Sequence, residues 1–300
     1  MVSVEGYQVE QELYCGGKSL VYKAKRNADD ASVILKILNK EYPNPDELAR
    51  FRTEFEFTKK LEGKGIIVVH ELIEHDTSLV IVLEDFGGQS LSKRLAERKL
   101  TIREFLKLAI PMTEALGQVH AQNILHKDIN PSNVVWNEKT DAIKVIDFGI
   151  SAELPRENPQ VKSPSTLEGT LPYMSPEQTG RMNRAMDYRT DLYSLGVTFY
   201  EMLMGFRPFD ADDPMELVHC HIAKAPKPPH ELDKKIPIPL SNLIVKLLAK
   251  NAEDRYQTTF GLMADLRECK KQMDGHGRVV EFQLGQQDAS GKFQLPQKLY

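Results

Sequence analysis

A histidine, a lysine, an aspartate and two asparagines lie within eight positions of the stretch ILHKDINPSNVVW, residues 124–136. Asp128 could accept a proton from a hydroxyl group. Asn133, five positions later, offers an oxygen ligand for a hard cation such as Mg²⁺. The stretch is therefore a candidate catalytic loop, and the residues alone leave a polar turn between two apolar runs as the alternative.

Three further residues fit phosphate chemistry and occur in a suggestive order. Lys36 ends the apolar run VILK, Glu54 follows in a helical pattern, and Asp147 stands in IDFG. A lysine can steady phosphates as a point charge, and a carboxylate can hold its ammonium in place. Taken singly, each has an ordinary explanation: an edge lysine, a solvated glutamate and a common turn. Together with Asn133, however, Asp147 would suit Mg²⁺ bound to a nucleotide.

The elements that must position these residues fall into two groups. Up to about residue 84, β-branched runs such as SVILKIL and LVIVLE predict strands, and one helix is predicted from Asp46 to about Leu61 by apolar residues at three- and four-residue spacing. After DFGG, residues 85–88, apolar stripes predict mostly helices, with Pro111 expected to kink one of them. The pattern predicts an α+β protein with a small β-rich lobe, a hinge and a larger helical lobe.

Composition excludes several classes of protein. The chain has 300 residues, 41% of them hydrophobic, and a formal net charge of −4, so it can bury a large core but offers no basic field for nucleic acid. Its three cysteines have no disulfide or zinc spacing, and its longest aliphatic runs, such as LVIVL, are too short to cross a bilayer. We therefore expect a soluble, cytoplasmic protein that binds neither nucleic acid nor membrane.

Six ordered motifs carry a family resemblance: VILK, HKDINPSN, DFG, GTLPYMSPE, DLYSLGVTFYEMLMGFRPF and EDRYQT. Over about residues 7–270 the chain resembles the eukaryotic-like (Hanks-type) serine/threonine protein kinases. The resemblance implies a bilobal kinase fold that uses ATP and Mg²⁺ and acts on a protein substrate. It divides the chain into an N-lobe 1–84, a hinge 85–88, a C-lobe 89–273 with an activation segment 147–177, and a tail or linker 274–300.

The resemblance also implies roles for individual residues. Lys36 would bind the α- and β-phosphates with Glu54 as its partner, Asp128 would accept the proton of the substrate hydroxyl, and Asn133 and Asp147 would hold Mg²⁺. The remaining nucleotide contacts would be Gly16, Gly17 and Val21 in the phosphate-covering loop, and Leu83, Glu84 and Phe86 at the adenine pocket and hinge.

The segment GTLPYMSPE is similar to the serine/threonine branch of the family. Thr170 would bond to the catalytic aspartate and shape the site for a small hydroxyl. The resemblance assigns supporting roles to three further residues: Asp191 would brace the catalytic loop, and Glu177 would pair with Arg255 to anchor the end of the activation segment.

Two positions depart from the family pattern. The family has three glycines in the phosphate-covering loop, and the corresponding positions here are Tyr14, Gly16 and Ser19. Only the middle glycine is therefore present, with Gly17 beside it. Asn130 stands where the family has a lysine, and an amide offers the transferring phosphoryl group only a dipole.

Losing one transition-state donor costs roughly 10²- to 10³-fold in rate, which leaves a slow enzyme. Lys127 or Lys144 could compensate for the lysine that Asn130 replaces. We therefore expect an active kinase, with a pseudokinase that binds nucleotide without turnover as the alternative.

Two expectations concern regulation and partners. A phosphate on Ser163, Ser165 or Thr166 could order the activation segment by pairing with Lys127, although the same residues would also fit a plain polar loop. The tail resembles the junction in large bacterial signalling proteins, notably cyanobacterial ones, where a kinase domain leads into an ATPase module. If so, the main partners would be later domains of the same chain.

Overall fold

The structure is a computed structural model that describes residues 3–17, 19–39, 42–75, 77–155, 168–181 and 184–288. Two lobes meet at a hinge, so the predicted bilobal α+β fold is confirmed. The N-lobe is a five-stranded antiparallel sheet in the order β1-β2-β3-β5-β4, crossed by one helix. Its elements are β1 (Tyr7–Cys15), β2 (Ser19–Arg26), β3 (Ser32–Leu38), α1 (Pro45–Lys60), β4 (Val69–His75) and β5 (Ser78–Glu84).

Helix α1 starts one residue before the predicted position because its cap is strong. The Asn44 side chain accepts from the backbone N–H of Glu47, the Glu47 side chain accepts from that of Asn44, and Pro45 fills the first helical position. Phe51 and Phe55 on its inner face pack with side chains of β5. This packing turns Glu54, which lies on the same face, toward the sheet.

The C-lobe is mostly helical and is built around α3, α4 and α8, whose apolar stripes share one large core. Its helices are α2 (Leu91–Glu97), α3 (Ile102–Ala121), α4 (Tyr188–Met204), α5 (Pro214–Ala223), α6 (Pro229–Leu232), α7 (Ile238–Leu247) and α8 (Thr259–His276). Its short strands are β6 (Gln89–Ser90), β7 (Ile124–Leu125), β8 (Val134–Asn137), β9 (Ala142–Val145) and β10 (Ala152–Glu153).

Helix α3 continues on both sides of Pro111, which therefore lies inside the helix rather than at a break. Among the described residues, no helix is both long enough and apolar enough to cross a membrane.

The segment predicted as a tail or linker packs on the C-lobe as far as it is described, to residue 288. Helix α8 extends to His276, and Gly277, with φ +67°, ends it in the left-handed conformation that glycine adopts readily. Val279, Phe282 and Leu284 then pack against the C-lobe core. The periodicity of the sequence could not predict this packing, because the segment is held by three separate apolar contacts rather than by a helix or strand.

Asp288 fixes the end of this segment to the start of α8. Its carboxylate accepts hydrogen bonds from the backbone N–H groups of Gln257 at 2.7 Å and Thr258 at 3.0 Å. An added Cβ at Gly261 would lie 2.4 Å from the Asp288 side chain, so the helix leaves room for this contact only with glycine there. Residues 279–288 are therefore part of the folded C-lobe.

Candidate active site

Lys36 lies in the middle of the N-lobe sheet. Its strand β3 pairs with β2 and β5, which places Lys36 between Val21 and Ile81. The ammonium Nζ lies 2.5 Å from Glu54 Oε1 and 3.1 Å from Asp147 Oδ1. Burial would lower the pKa of Lys36, but the carboxylates of Asp147 and Glu54 outweigh it and raise the pKa above its usual value. The side chain is therefore a buried, permanent cation.

Glu54 is the more easily neutralised member of this pair. Burial raises its pKa to about 7, and the charge of Lys36 opposes that shift without cancelling it. The contact between these two residues therefore joins the sheet to α1 through a carboxylate that titrates near neutral pH.

Asp147 reaches Lys36 because the chain turns sharply after β9. Its φ of +66° is uncommon for a residue with a side chain. Burial would raise the pKa of Asp147, but Lys36 and the backbone N–H of Gly149 hold it below its usual value. An added Cβ at Gly149 would lie 3.1 Å from Asp147 Oδ1 and 3.2 Å from Glu54 Oε2. Glycine thus keeps both carboxylates close to the ammonium.

Asp128 is oriented from two sides. Its Oδ1 accepts from the backbone N–H of Thr170 at 2.9 Å, and its Oδ2 accepts from Asn133 Nδ2 at 3.0 Å. The same Asn133 amide nitrogen donates to the Asp128 carbonyl at 2.9 Å. Since the nitrogen of Asn133 is used in this way, its amide oxygen is the atom available to a cation.

Asp191, on α4, holds the backbone of the catalytic loop in place. Its carboxylate accepts from the backbone N–H groups of His126 at 2.9 Å and Lys127 at 2.8 Å, and it contacts His120 Nε2 at 2.9 Å. Burial would raise the pKa of Asp191, but the hydrogen bond from His120 and the nearby histidines keep it below its usual value. This is the bracing role that the family resemblance implies.

The two parts of the site are joined by the backbone. The N–H of Ile146, one residue before Asp147, donates to the carbonyl of Asn133 at 2.9 Å. Lys36 contacts Asp147, the neighbouring Ile146 bonds to Asn133, and Asn133 bonds to Asp128, so these residues form one connected set where the lobes meet. The sequence placed these residues up to 111 positions apart, and the fold brings them together.

Asn130 is buried and its amide is fully engaged. Its oxygen accepts from the backbone N–H of Ser132 at 2.9 Å, which caps the short helix Pro131–Asn133. Its nitrogen donates to the Asp128 carbonyl at 3.1 Å and to Thr170 Oγ1 at 3.3 Å. Asn130 therefore ties the catalytic loop to the activation segment.

The two lysines considered as replacements have partners of their own. Lys144 Nζ is paired with the Glu84 carboxylate and lies 5.4 Å from the centre of the Phe86 ring, at the hinge. Lys127 Nζ lies 3.5 Å from Glu168 Oε2. Each cation is thus balanced by a carboxylate outside the catalytic loop.

Three of the predicted nucleotide contacts, Val21, Gly16 and Gly17, lie on β2 and in the hairpin that joins β1 to β2. Val21 on β2 pairs with Lys36 on β3, and Gly16 closes the β1–β2 hairpin by donating its N–H to the Ser19 carbonyl at 3.0 Å. A Cβ at Gly16 would lie 2.3 Å from the Tyr14 hydroxyl, so the Tyr14 ring rests over this glycine. Among the described residues, none lies within 4 Å of a Cβ added at Gly17.

The hinge side is formed by the end of β5 and the residues after it. Leu83 packs with the apolar cluster of α1, and Glu84 accepts from the backbone N–H of Val68 at 2.7 Å. The Phe86 carbonyl accepts from Asn137 Nδ2 at 2.5 Å, which fixes the hinge to the C-lobe.

Glu177 and Arg255 form the expected pair at the end of the activation segment. The guanidinium meets the carboxylate at two points, 2.7 Å and 2.9 Å, in the C-lobe interior. Burial would raise the pKa of Glu177, but Arg255 holds it below its usual value.

Sequence reasoning missed two residues that join the activation segment to the catalytic loop. Gln178 Nε2 donates to the Lys127 carbonyl at 2.8 Å, and Glu168 pairs with the Lys127 side chain. Nothing in their spacing marks them, because both act across long chain separations. The three suggested phosphorylation sites, Ser163, Ser165 and Thr166, lie outside the described residues.

Comparison with protein-family models decides the family. The model described as "Protein kinase domain" matches residues 7–265. The chain belongs to the protein kinase family. The family resemblance read from the six motifs is thus confirmed.

Curated relatives are bacterial serine/threonine kinases. The kinase chain is 33% identical over 266 residues to a probable serine/threonine-protein kinase of Clostridium acetobutylicum, covering 88% of this chain and 40% of the relative. It is 32% identical over 266 residues to the serine/threonine-protein kinase PknB of Mycobacterium tuberculosis, covering 87% of this chain and 42% of that protein. The chain thus spans about two fifths of the length of these relatives.

Proposed function

We propose that this kinase domain transfers the γ-phosphoryl group of ATP to a serine or threonine hydroxyl of a protein. One observation carries the proposal. The buried Lys36 cation is held 2.5 Å from Glu54 and 3.1 Å from Asp147. The backbone next to Asp147 is bonded to Asn133, and Asn133 in turn helps to orient the Asp128 carboxylate, which accepts two hydrogen bonds. A structural ion pair would not need an oriented carboxylate beside it.

Each side chain then has one task. Lys36 would steady the α- and β-phosphates of ATP, and Glu54 would keep its ammonium in the cleft. Asp128 would orient the substrate hydroxyl and accept its proton as the oxygen bonds to phosphorus, while the bond from the γ-phosphorus to ADP breaks. Thr170 lies at the edge of the site and holds Asp128 through its N–H.

The donors fit a magnesium ion shared with a nucleotide. Asn133 offers its amide oxygen, and the Asp147 side chain is 39% exposed, so it keeps surface available to a ligand. Among the described residues, no group of three or more His, Cys, Asp or Glu side chains could form an all-protein metal site. When bound, Mg²⁺ would neutralise phosphate charge.

Asn130 supports an active but slow enzyme. Its amide joins Asp128 to Thr170, so it keeps the catalytic loop in shape without supplying positive charge. Because a lost donor costs roughly 10²- to 10³-fold against total enhancements of about 10⁶ or more, turnover survives.

Protein substrates and later domains of the same chain are the proposed partners. The names of the bacterial relatives support a serine or threonine acceptor.

The test measures transfer of radiolabelled γ-phosphate from ATP to a generic serine/threonine acceptor by the purified chain. We expect slow, Mg²⁺-dependent transfer that Asp128→Asn abolishes. Thermal shift with Mg²⁺ and ATP is recorded in parallel, and Asp128→Asn should retain that shift. A nucleotide-dependent shift without any label transfer in the wild type would contradict the proposal and favour a nucleotide-sensing pseudokinase.

A further inference from the structure

Glu168 lies between two cations that come from different lobes. Its Oε2 is 3.5 Å from Lys127 Nζ in the catalytic loop, and its Oε1 is 3.7 Å from Arg50 Nη2 on α1. Each carboxylate oxygen therefore has its own partner. The residue belongs to the activation segment, so the contact joins three separate elements.

One end of this bridge is firmly anchored. Lys127 has φ +67°, an uncommon conformation for a residue with a side chain. Its N–H donates to Asp191 Oδ1 at 2.8 Å and its carbonyl accepts from Gln178 Nε2 at 2.8 Å. The C-lobe thus fixes the backbone of Lys127, and the largely buried Lys127 side chain extends from this fixed point to Glu168.

The other end acts on the active site. Arg50 lies one helical turn before Glu54 on α1, so both side chains project from neighbouring positions of one rigid helix. Glu54 in turn holds Lys36. Glu168 also lies two residues before Thr170, whose N–H holds Asp128. Glu168 is therefore connected to Lys36 through α1 and to Asp128 through Thr170.

We propose that Glu168 is a positioning residue whose carboxylate bridges Lys127 and Arg50 and holds α1 and the activation segment in the transfer-competent arrangement without a phosphate on that segment. The inference rests on the proposed function and adds its regulation. A glutamate here supplies the negative charge that phosphorylation would otherwise bring to Lys127.

The chain provides matched controls for both ends of the bridge. Glu153, also in the segment after Asp147, pairs with Lys60 of α1 at 3.4 Å. Both of these side chains are largely exposed, as is Arg50 in the bridge. Arg52 of α1 pairs with Glu74 of β4 at 2.8 Å. Glu153→Gln and Arg52→Gln therefore remove the same charges as Glu168→Gln and Arg50→Gln without touching the bridge.

The experiment compares these four variants in protein treated with phosphatase and verified by mass spectrometry. Because partly exposed ion pairs are individually weak, we expect Glu168→Gln to lower the rate of phosphoryl transfer by about five- to tenfold, and Arg50→Gln by about threefold. In the double variant Glu168→Gln/Arg50→Gln, the fold reduction in transfer rate should be smaller than the product of the two single-variant reductions. The two control variants should stay within twofold of wild type.

A second measurement does not require transfer. Amide hydrogen exchange of α1 in nucleotide-free protein should become faster in Glu168→Gln and Arg50→Gln, and it should stay unchanged in Glu153→Gln. If the wild type transfers no phosphate and α1 still loosens in these two variants alone, the proposed function fails and the bridge stands.

Two results would overturn the bridge. The first is wild-type transfer and wild-type α1 exchange in Glu168→Gln. The second is a loss of activity on phosphatase treatment of the wild type as large as that in Glu168→Gln, because a phosphate would then be the source of the charge.

Discussion

Two buried ion pairs, one in each lobe, show how the same chemistry serves different purposes. In the C-lobe, Arg255 meets Glu177 at two points, 2.7 Å and 2.9 Å, with 0% and 5% of the side chains exposed. In the N-lobe, Lys36 meets Glu54 at one point, 2.5 Å, and shares its charge with a 39% exposed Asp147. The C-lobe pair is therefore sealed from solvent, whereas the N-lobe site includes a carboxylate side chain that solvent or a ligand can reach.

The remaining donors and acceptors make the difference clear. The guanidinium of Arg255 also donates to three backbone carbonyls, and Glu177 accepts from Thr190 Oγ1 at 2.9 Å. The three carbonyls belong to Ala249, Arg189 and Lys250. The C-lobe pair is thus satisfied by the protein alone, which fits a role in stability, while the N-lobe site retains charge for a ligand.

The largest expected effect concerns the closed pair. Arg255→Met leaves the Glu177 carboxylate buried without its cation, so we expect a loss of about 3–5 kcal/mol in the free energy of unfolding. Lys36→Met should lose less than about 1.5 kcal/mol, because Glu54 has a pKa of about 7 and can become neutral. Urea denaturation of both variants measures the difference, and equal losses would remove the distinction between the pairs.

The second prediction concerns activity, for which Lys36 should matter more than it does for stability. Lys36→Met removes the cation that faces the phosphates, and we expect about a 10²- to 10³-fold lower rate of phosphoryl transfer with the fold retained. The measurement is the rate at saturating MgATP. A variant with at least a third of wild-type activity would show that Lys36 is only a structural cation.

The third prediction uses the pKa of Glu54. Below about pH 7 the carboxylate takes up a proton and loosens its hold on Lys36, so transfer should fall up to tenfold per pH unit as the solution becomes more acidic. The pH–rate profile between pH 5.5 and 8.5 measures this. Glu54→Gln should be slower throughout and should lack this acidic limb.

Stability should respond to the same proton with the opposite sign. The folded state binds it with a pKa of about 7 and the unfolded state with a pKa near 4.5, so protonation favours folding. The contribution of Glu54 to the free energy of unfolding therefore falls as pH rises from about 4.5 to 7. Replacement by glutamine should remove that dependence, and an unchanged difference between the two proteins across this range would contradict the assigned pKa.

The smallest expected effect concerns Asn130. Like Arg255, it is buried and hydrogen-bonded to other protein groups, but it lies in the active site. Asn130→Ala removes the cap of the short helix and the bond to Thr170, and we expect about 1 kcal/mol lower stability and roughly tenfold slower transfer. Asn130→Ser can keep the cap and is the matched control, expected to recover the stability but not the rate. Recovery of both would limit Asn130 to capping.

The sequence predicted much of this comparison but not its geometry. Ordered motifs identified Lys36, Glu54, Asp128 and Asp147, because phosphoryl transfer requires these residue types in a fixed order. The pairing of Glu177 with Arg255 followed from the family resemblance. No local pattern could show that one pair is bidentate and saturated while the other is open, since that depends on backbone carbonyls from distant segments.

The contacts that sequence reasoning missed share a physical cause. Glu168 and Arg50 are charged residues on separate elements, 118 positions apart, and their meeting depends on tertiary packing. Residues 279–288 form no helix or strand, so their packing on the core leaves no periodic pattern in the sequence. The replacement of a lysine by Asn130 was visible as a loss of charge, whereas the gain of two hydrogen bonds to the loop and to Thr170 was not.

The central claim is that Lys36, Asp147, Asn133 and Asp128 form one site for a metal-bound nucleotide. Crystals grown with a non-hydrolysable ATP analogue and Mn²⁺ test it most directly, through the anomalous signal of the metal. We predict an anomalous peak at about 2.1–2.3 Å from Asn133 Oδ1 and from the Asp147 carboxylate, with phosphate oxygens within hydrogen-bond distance of Lys36 Nζ. A metal peak or a triphosphate bound away from these side chains would contradict the account.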